Sequence, residues 1–191
     1  MKTFLLSIAV LFAANTVLAQ DNSYGIIAGY NLSKIENLGG DGIDVNRPGF
    51  HVGAIAEFPM NEKWSWETSL TYSEEGEKFI IGNVENEVKY TNINLPVQAK
   101  YYVIKGLSIH AGPQVGIITK IEQTIGDGEA QTIKDRVNSH FAITGGLGYD
   151  LDMGLFTKVS LAYGLTDTID NINFTNSERL GTIHFSVGYK F

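Results

Sequence analysis

The chain has 191 residues, no cysteine and a formal net charge of −7. The missing cysteine excludes disulfides and thiol chemistry. The acidic balance leaves no basic stripe to neutralise phosphates, which argues against a nucleic-acid partner.

The first 19 residues carry Lys2, then an apolar run from Phe4 to Ala14 broken only by Ser7, then Val17-Leu18-Ala19. This is the pattern of a secretory signal peptide cut after Ala19, so residues 1–19 are read as a signal and 20–191 as one domain. The run is too short, and too interrupted by Asn15 and Thr16, for the ~20 residues of a spanning helix.

Eight segments of period-two alternation follow. Tyr24 to Ser33 puts Tyr24, Ile26, Ala28, Tyr30 and Leu32 on one face. Gly49 to Pro59 groups Phe50, Val52, Ala54, Ala56 and Phe58 against His51, Gly53 and Glu57. Trp64 to Glu74 groups Trp64, Trp66, Thr68, Leu70 and Tyr72 against a polar face that includes Glu67. Lys89 to Val103 sets Thr91, Ile93, Leu95, Val97, Ala99, Tyr101 and Val103 opposite Asn92, Asn94, Gln98 and Lys100. Leu107 to Ile117 sets Leu107, Ile109, Ala111, Val115 and Ile117 opposite His110 and Gln114. Ser139 to Asp150 sets Phe141, Ile143, Leu147 and Tyr149 opposite His140, Thr144 and Asp150. Leu155 to Gly164 sets Leu155, Val159, Leu161 and Tyr163 opposite Lys158 and Ser160. The terminal segment sets Ile183, Phe185, Val187, Tyr189 and Phe191 opposite His184, Ser186 and Lys190.

Such alternation gives each strand one apolar and one polar face. Each segment is near or above the ~9–11 residues a tilted membrane strand needs. Short connections at 60–63, 104–106 and 151–154 alternate with long ones at 34–48, 75–88, 118–138 and 165–178. The expected fold is all-β: an eight-stranded antiparallel up-and-down transmembrane barrel with both termini beside the short turns. The long connections hold most of the acids, including Glu36, Asp44, Glu75, Glu77, Glu85, Glu87 and Glu129, and read as solvated loops.

Several motifs recur in order. They are Gly25-Ile26-Ile27-Ala28-Gly29-Tyr30-Asn31-Leu32-Ser33, Gly49-Phe50-His51-Val52-Gly53, and Glu67 through Tyr72-Ser73 to Gly76. Then come Ile93-Asn94-Leu95-Pro96 through Lys100-Tyr101-Tyr102, Ala111-Gly112-Pro113-Gln114-Val115-Gly116, and Val187-Gly188-Tyr189-Lys190-Phe191. Together they resemble the PorT-like outer-membrane barrel family of Bacteroidota, over essentially all of the chain after the signal. The resemblance implies a bacterial outer-membrane barrel; studied members serve secretion and most have no defined activity. Tyr189 and the terminal Phe191 resemble the signal by which such barrels are handed to their insertion machinery. Pro96 cannot donate to a ladder, so a bulge or local break is expected there.

All four histidines, His51, His110, His140 and His184, fall on the inward parity, with Glu57, Glu67, Lys100, Lys158 and Lys190. An eight-stranded barrel is only wide enough inside for side chains, and an unpaired buried charge is very costly. These residues are therefore expected to fill the lumen as a polar, acid–base network rather than to line an open pore. No metal, cofactor or catalytic set is expected, since no histidine has outward parity and the long loops contain none. The expected function is non-enzymatic, through surface loops or as an envelope or secretion component. The expected partners are outer-membrane lipid, the insertion machinery and a surface or secretion protein. The alternatives are a narrow channel for ions or small solutes, and a soluble lipocalin-like periplasmic barrel.

Overall fold

The computed structural model describes residues 22–36, 43–81, 84–126, 128–134, 138–166 and 179–191. Among them are nine strands: β1 (Ser23–Glu36), β2 (Ile43–Pro59), β3 (Trp64–Ile81), β4 (Val84–Tyr102), β5 (Leu107–Ile125), β6 (Gln131–Lys134), β7 (Asn138–Asp150), β8 (Leu155–Gly164) and β9 (Arg179–Lys190). Eight of them form a closed antiparallel ring in which each pairs with its neighbour in sequence, β5 passing to β7, and β9 returns to β1. The short β6 pairs only with β5, at Ile121 to Gln123. At the seam the Phe191 amide donates to the Tyr24 carbonyl at 2.8 Å, so the final residue is tied to the first strand.

Ring closure removes every free strand edge along the paired region, the condition for a sheet to cross lipid. The alternating residues sort as their parity dictates. Ile26, Val52, Leu70, Ile143, Leu161 and Val187 are exposed on the outer face, while Asn31, His51, Glu67, Lys100 and Ser160 are buried inside. That is the reverse of a lipocalin-like arrangement, in which apolar faces would line the cavity. Aromatic residues band the outer face: Tyr24, Trp64, Trp66, Tyr149 and Tyr189 near the short turns, and Tyr30, Phe50, Tyr72 and Phe141 toward the other end. Some pack as ring pairs, Trp64 with Tyr101 at 4.8 Å and Phe50 with Tyr72 at 5.9 Å.

The short turns are closed by local chemistry. The Asn61 side-chain oxygen accepts from the amides of Lys63 and Trp64, and Gly106 and Gly154 supply the positive φ of 81° and 87° that their turns require. The strands run further than alternation alone indicates. β3, β4 and β5 hold 18, 19 and 19 residues against 10 in β8, so one side of the ring stands well above the other. Segments 75–81, 84–88 and 118–125, which the sequence assigns to long loops, are therefore strand. At Pro96 the ladder breaks without changing register. Pairing to β3 skips from Thr68–Val97 to Thr71–Asn94, and pairing to β5 skips from Pro96–Gln114 to Ala99–Ala111. The bulges lie elsewhere, on β2 between Asn46 and His51, and on β5 opposite Thr91 and Asn92.

Candidate functional site: the lumen

Nearest the short turns, Glu57 on β2 and Glu67 on β3 are direct cross-strand partners and both are buried. Two facing carboxylates are destabilising on their own. Three lysines resolve the conflict. Lys100 reaches Glu57 at 3.0 Å, Glu67 at 3.3 Å and Asp150 at 2.7 Å. Lys190 pairs with Glu57 and, at 2.7 Å, with Asp150. Lys158 pairs with Glu67. The Tyr102 hydroxyl donates to Glu57 at 2.6 Å. Three ammonium groups thus meet three carboxylates. A vestibule of about 390 Å3, bordered by Glu57, Asp150, Lys190 and Phe191, opens onto this network from the short-turn end.

Farther in lies an apolar layer of Ile27, Ile55 and Phe156, which inward parity alone does not announce. Three lumen rings lie over the glycine directly opposite them in the ladder: Phe156 over Gly188, His51 over Gly29 and His140 over Gly116. A Cβ at any of these glycines would fall within 2.5 Å of a ring atom. The missing side chain is what lets a ring lie flat inside so narrow a barrel.

The middle of the lumen is hydrogen-bonded. The Asn31 side-chain oxygen meets both His51 Nδ1 and His184 Nδ1 at 2.7 Å, and the two imidazoles stand edge-on with centroids 5.3 Å apart. His51 Nε2 lies 2.9 Å from Ser186 Oγ, and His110 Nε2 lies 2.8 Å from Ser160 Oγ. The structure therefore brings His51 and His184 together and holds His110 and His140 apart. A cavity of about 40 Å3 borders His51, Asn94, Gln98, Ser160, His184 and Ser186. It has room for a few waters.

Toward the long-connection end are Ser73, Glu75, Asn92, Asn94, His140 and Thr182, all buried. Beginning at Ile118, the ladder partner of Asn92, and continuing beyond them, Tyr90, Ile118, Ile121 and Leu180 form an apolar cluster inside the ring, flanked by Val88. Glu75 corrects the sequence reading: assigned to a solvated loop, it is 2% exposed within the lumen. Asn31, Tyr102 and Asp150 are further members that sequence reasoning left out of the network. Their signal was available, since Asn31 and Asp150 share the inward parity of the residues that were chosen. Among the described residues no group of three or more histidine, aspartate or glutamate side chains is arranged to hold a metal ion.

Beyond the apolar cluster, on the taller side, Arg47 reaches from β2 to Glu87 on β4 at 2.7 Å, and Lys78 pairs with Glu85 at 2.7 Å. Lys89 joins Glu74 at 2.8 Å.

Small outer-membrane barrels are among the solved structures similar to this chain. Neisserial surface protein A matches with a TM-score of 0.61 at 14% identity, covering 90% of this chain and 100% of that one. Ail, the attachment invasion locus protein of Yersinia pestis, matches with a TM-score of 0.55 at 18% identity and the same coverage. At these identities the likeness establishes the fold. No curated protein matches the chain by sequence. The profile of the outer membrane protein beta-barrel domain matches residues 18–170, most of the chain, and the ring, its outward apolar faces and its polar lumen agree: the chain belongs to the outer membrane protein beta-barrel domain family.

Proposed function

We propose that the protein is a non-enzymatic outer-membrane barrel that works through the sheet and loops raised at one end, as a surface-binding or secretion component of the envelope. The observation that carries this reading is the filled lumen. A solute would have to displace three lysines paired to three carboxylates and then pass the Tyr90–Ile118–Ile121–Leu180 cluster. Binding residues commonly ride on connections held by a rigid scaffold, and in such barrels the longer connections face outward from the cell. The cavity beside Ser160 and Ser186 admits water but not an acyl substrate, which supports a non-enzymatic role for the serine–histidine contacts.

The finer reading is a PorT-like member, exported by a signal peptide cut after Ala19 and recognised by the insertion machinery through Tyr189 and Phe191. Their side chains are exposed on the outer face, where such a factor can reach them. Ail was solved with the heparin analogue sucrose octasulfate. The acidic balance of this chain, −7 overall, favours a neutral or basic partner instead of a sulfated polyanion.

Planar-bilayer recording tests the reading. The purified barrel should insert without steady conductance steps; stable, solute-selective steps would replace the proposal with a channel. Variants with shortened long connections should stay folded yet reproduce the envelope phenotype of a full deletion.

A further inference from the structure

The two polar halves of the lumen differ in charge balance. Near the short turns, Lys100, Lys158 and Lys190 answer Glu57, Glu67 and Asp150. In the other half, Glu75 accepts from Ser73 Oγ at 2.7 Å, from Asn94 Nδ2 at 2.8 Å and from Thr182 Oγ1 at 3.3 Å. Among the described residues no lysine, arginine or histidine forms an ion pair with it, although it is 2% exposed. A buried carboxylate without a cation is costly.

Around it are polar atoms with no partner. Asn92 is fully buried and neither its amide nitrogen nor its oxygen is bonded. Asn94 gives its amide nitrogen to Glu75, which leaves its oxygen unmet. His140 Nδ1 is also unmet, at 5% exposure of the residue. These groups converge. Asn92 and Asn94 are two apart on the inner face of β4, and both the Asn94 oxygen and the His140 ring lie over Gly116, the direct partner of each. The Tyr90–Ile118–Ile121–Leu180 cluster covers the chamber on one side, and the 40 Å3 cavity touches Asn94 on the other. Unmet acceptors beside an unbalanced carboxylate are what an oxygen-coordinated cation satisfies.

We infer that this chamber binds one small hard cation of the sodium or calcium class, held by the Glu75 carboxylate and the side-chain oxygens of Asn92 and Asn94, with water completing its shell. The lower network needs no such ion because its charges already close.

The test is refolding the barrel into detergent and measuring its urea midpoint in sodium, calcium or choline chloride at equal ionic strength. Choline is too large for the chamber. Sodium or calcium should raise the midpoint above that in choline, and Glu75→Gln should clearly reduce the difference. Exposed acids could bind calcium, but their contribution would survive in Glu75→Gln. Equal midpoints in all three salts would overturn the proposal, as would a Glu75→Gln barrel that keeps the full preference. If Glu75→Gln does not fold, Asn92→Leu serves. It removes two orphaned polar atoms, so it should fold and show a reduced preference; an unchanged preference would be equally decisive against the site.

Discussion

Lys100 illustrates how much one side chain can hold in a filled barrel. It is 2% exposed and touches three carboxylates, two of which face each other across β2 and β3. Lys100→Met keeps the volume and removes the charge, leaving Glu57 and Glu67 opposed. The expected loss is about 3–5 kcal/mol, the cost of breaking a buried pair, read as a lower urea midpoint. The outer face should fail differently. Val159, midway along β8 and 47% exposed, faces lipid, so Val159→Arg should cost about 2–4 kcal/mol in bilayers. A soluble barrel would tolerate that change. Residue by residue, the inward set was legible because a strand's parity is rigid: every histidine, lysine and glutamate assigned to the lumen is inside. Glu75 was missed because its charge made it look like the start of a loop, although it is two residues past Ser73 on the same inward face.

At the level of strands, the alternation gave the number of ring members and most of their short-turn ends, but not how far they extend. Beyond the lipid the outer face need not be apolar, so segments 75–81 and 84–88 carry Lys78, Glu85 and Glu87 and no longer read as membrane strand, while Glu77, also assigned to a solvated loop, is buried. The bulges were equally hidden. Thr91, grouped by alternation with the outward residues, is buried where β5 inserts an extra residue. Pro96, by contrast, announced its break. The structure adds how the break is tolerated: the Thr68 hydroxyl donates to the Pro96 carbonyl at 2.8 Å. Water is scarce there, so Thr68→Val, which preserves shape, should cost about 1–3 kcal/mol. Pro96→Ala should leave that hydroxyl's bond in place; equal losses from the two changes would sink this account.

Across the whole molecule the ring behaves as one cooperative object. Closed sheets have no edge from which to fray, so the purified protein should keep a compact, faster-running band on a denaturing gel until boiled. An unshifted band would contradict a closed barrel. The taller side, β2 to β5, gives the long-connection end a slanted rim, and Arg47, Lys78, Glu85, Glu87 and Lys89 brace it with ion pairs. The sequence showed that long connections share one end; it could not show that part of their length is sheet.

The bond from the Phe191 amide to the Tyr24 carbonyl has a temporal meaning as well. Phe191 follows all eight ring strands in the chain, yet it completes the pairing of β1, the ring strand that comes first. A chain cut before β9 lacks that closure and leaves one edge each of β1 and β8 unmatched. Closure therefore waits on the last ring strand: without β9, the facing edges of β1 and β8 have nothing to pair with.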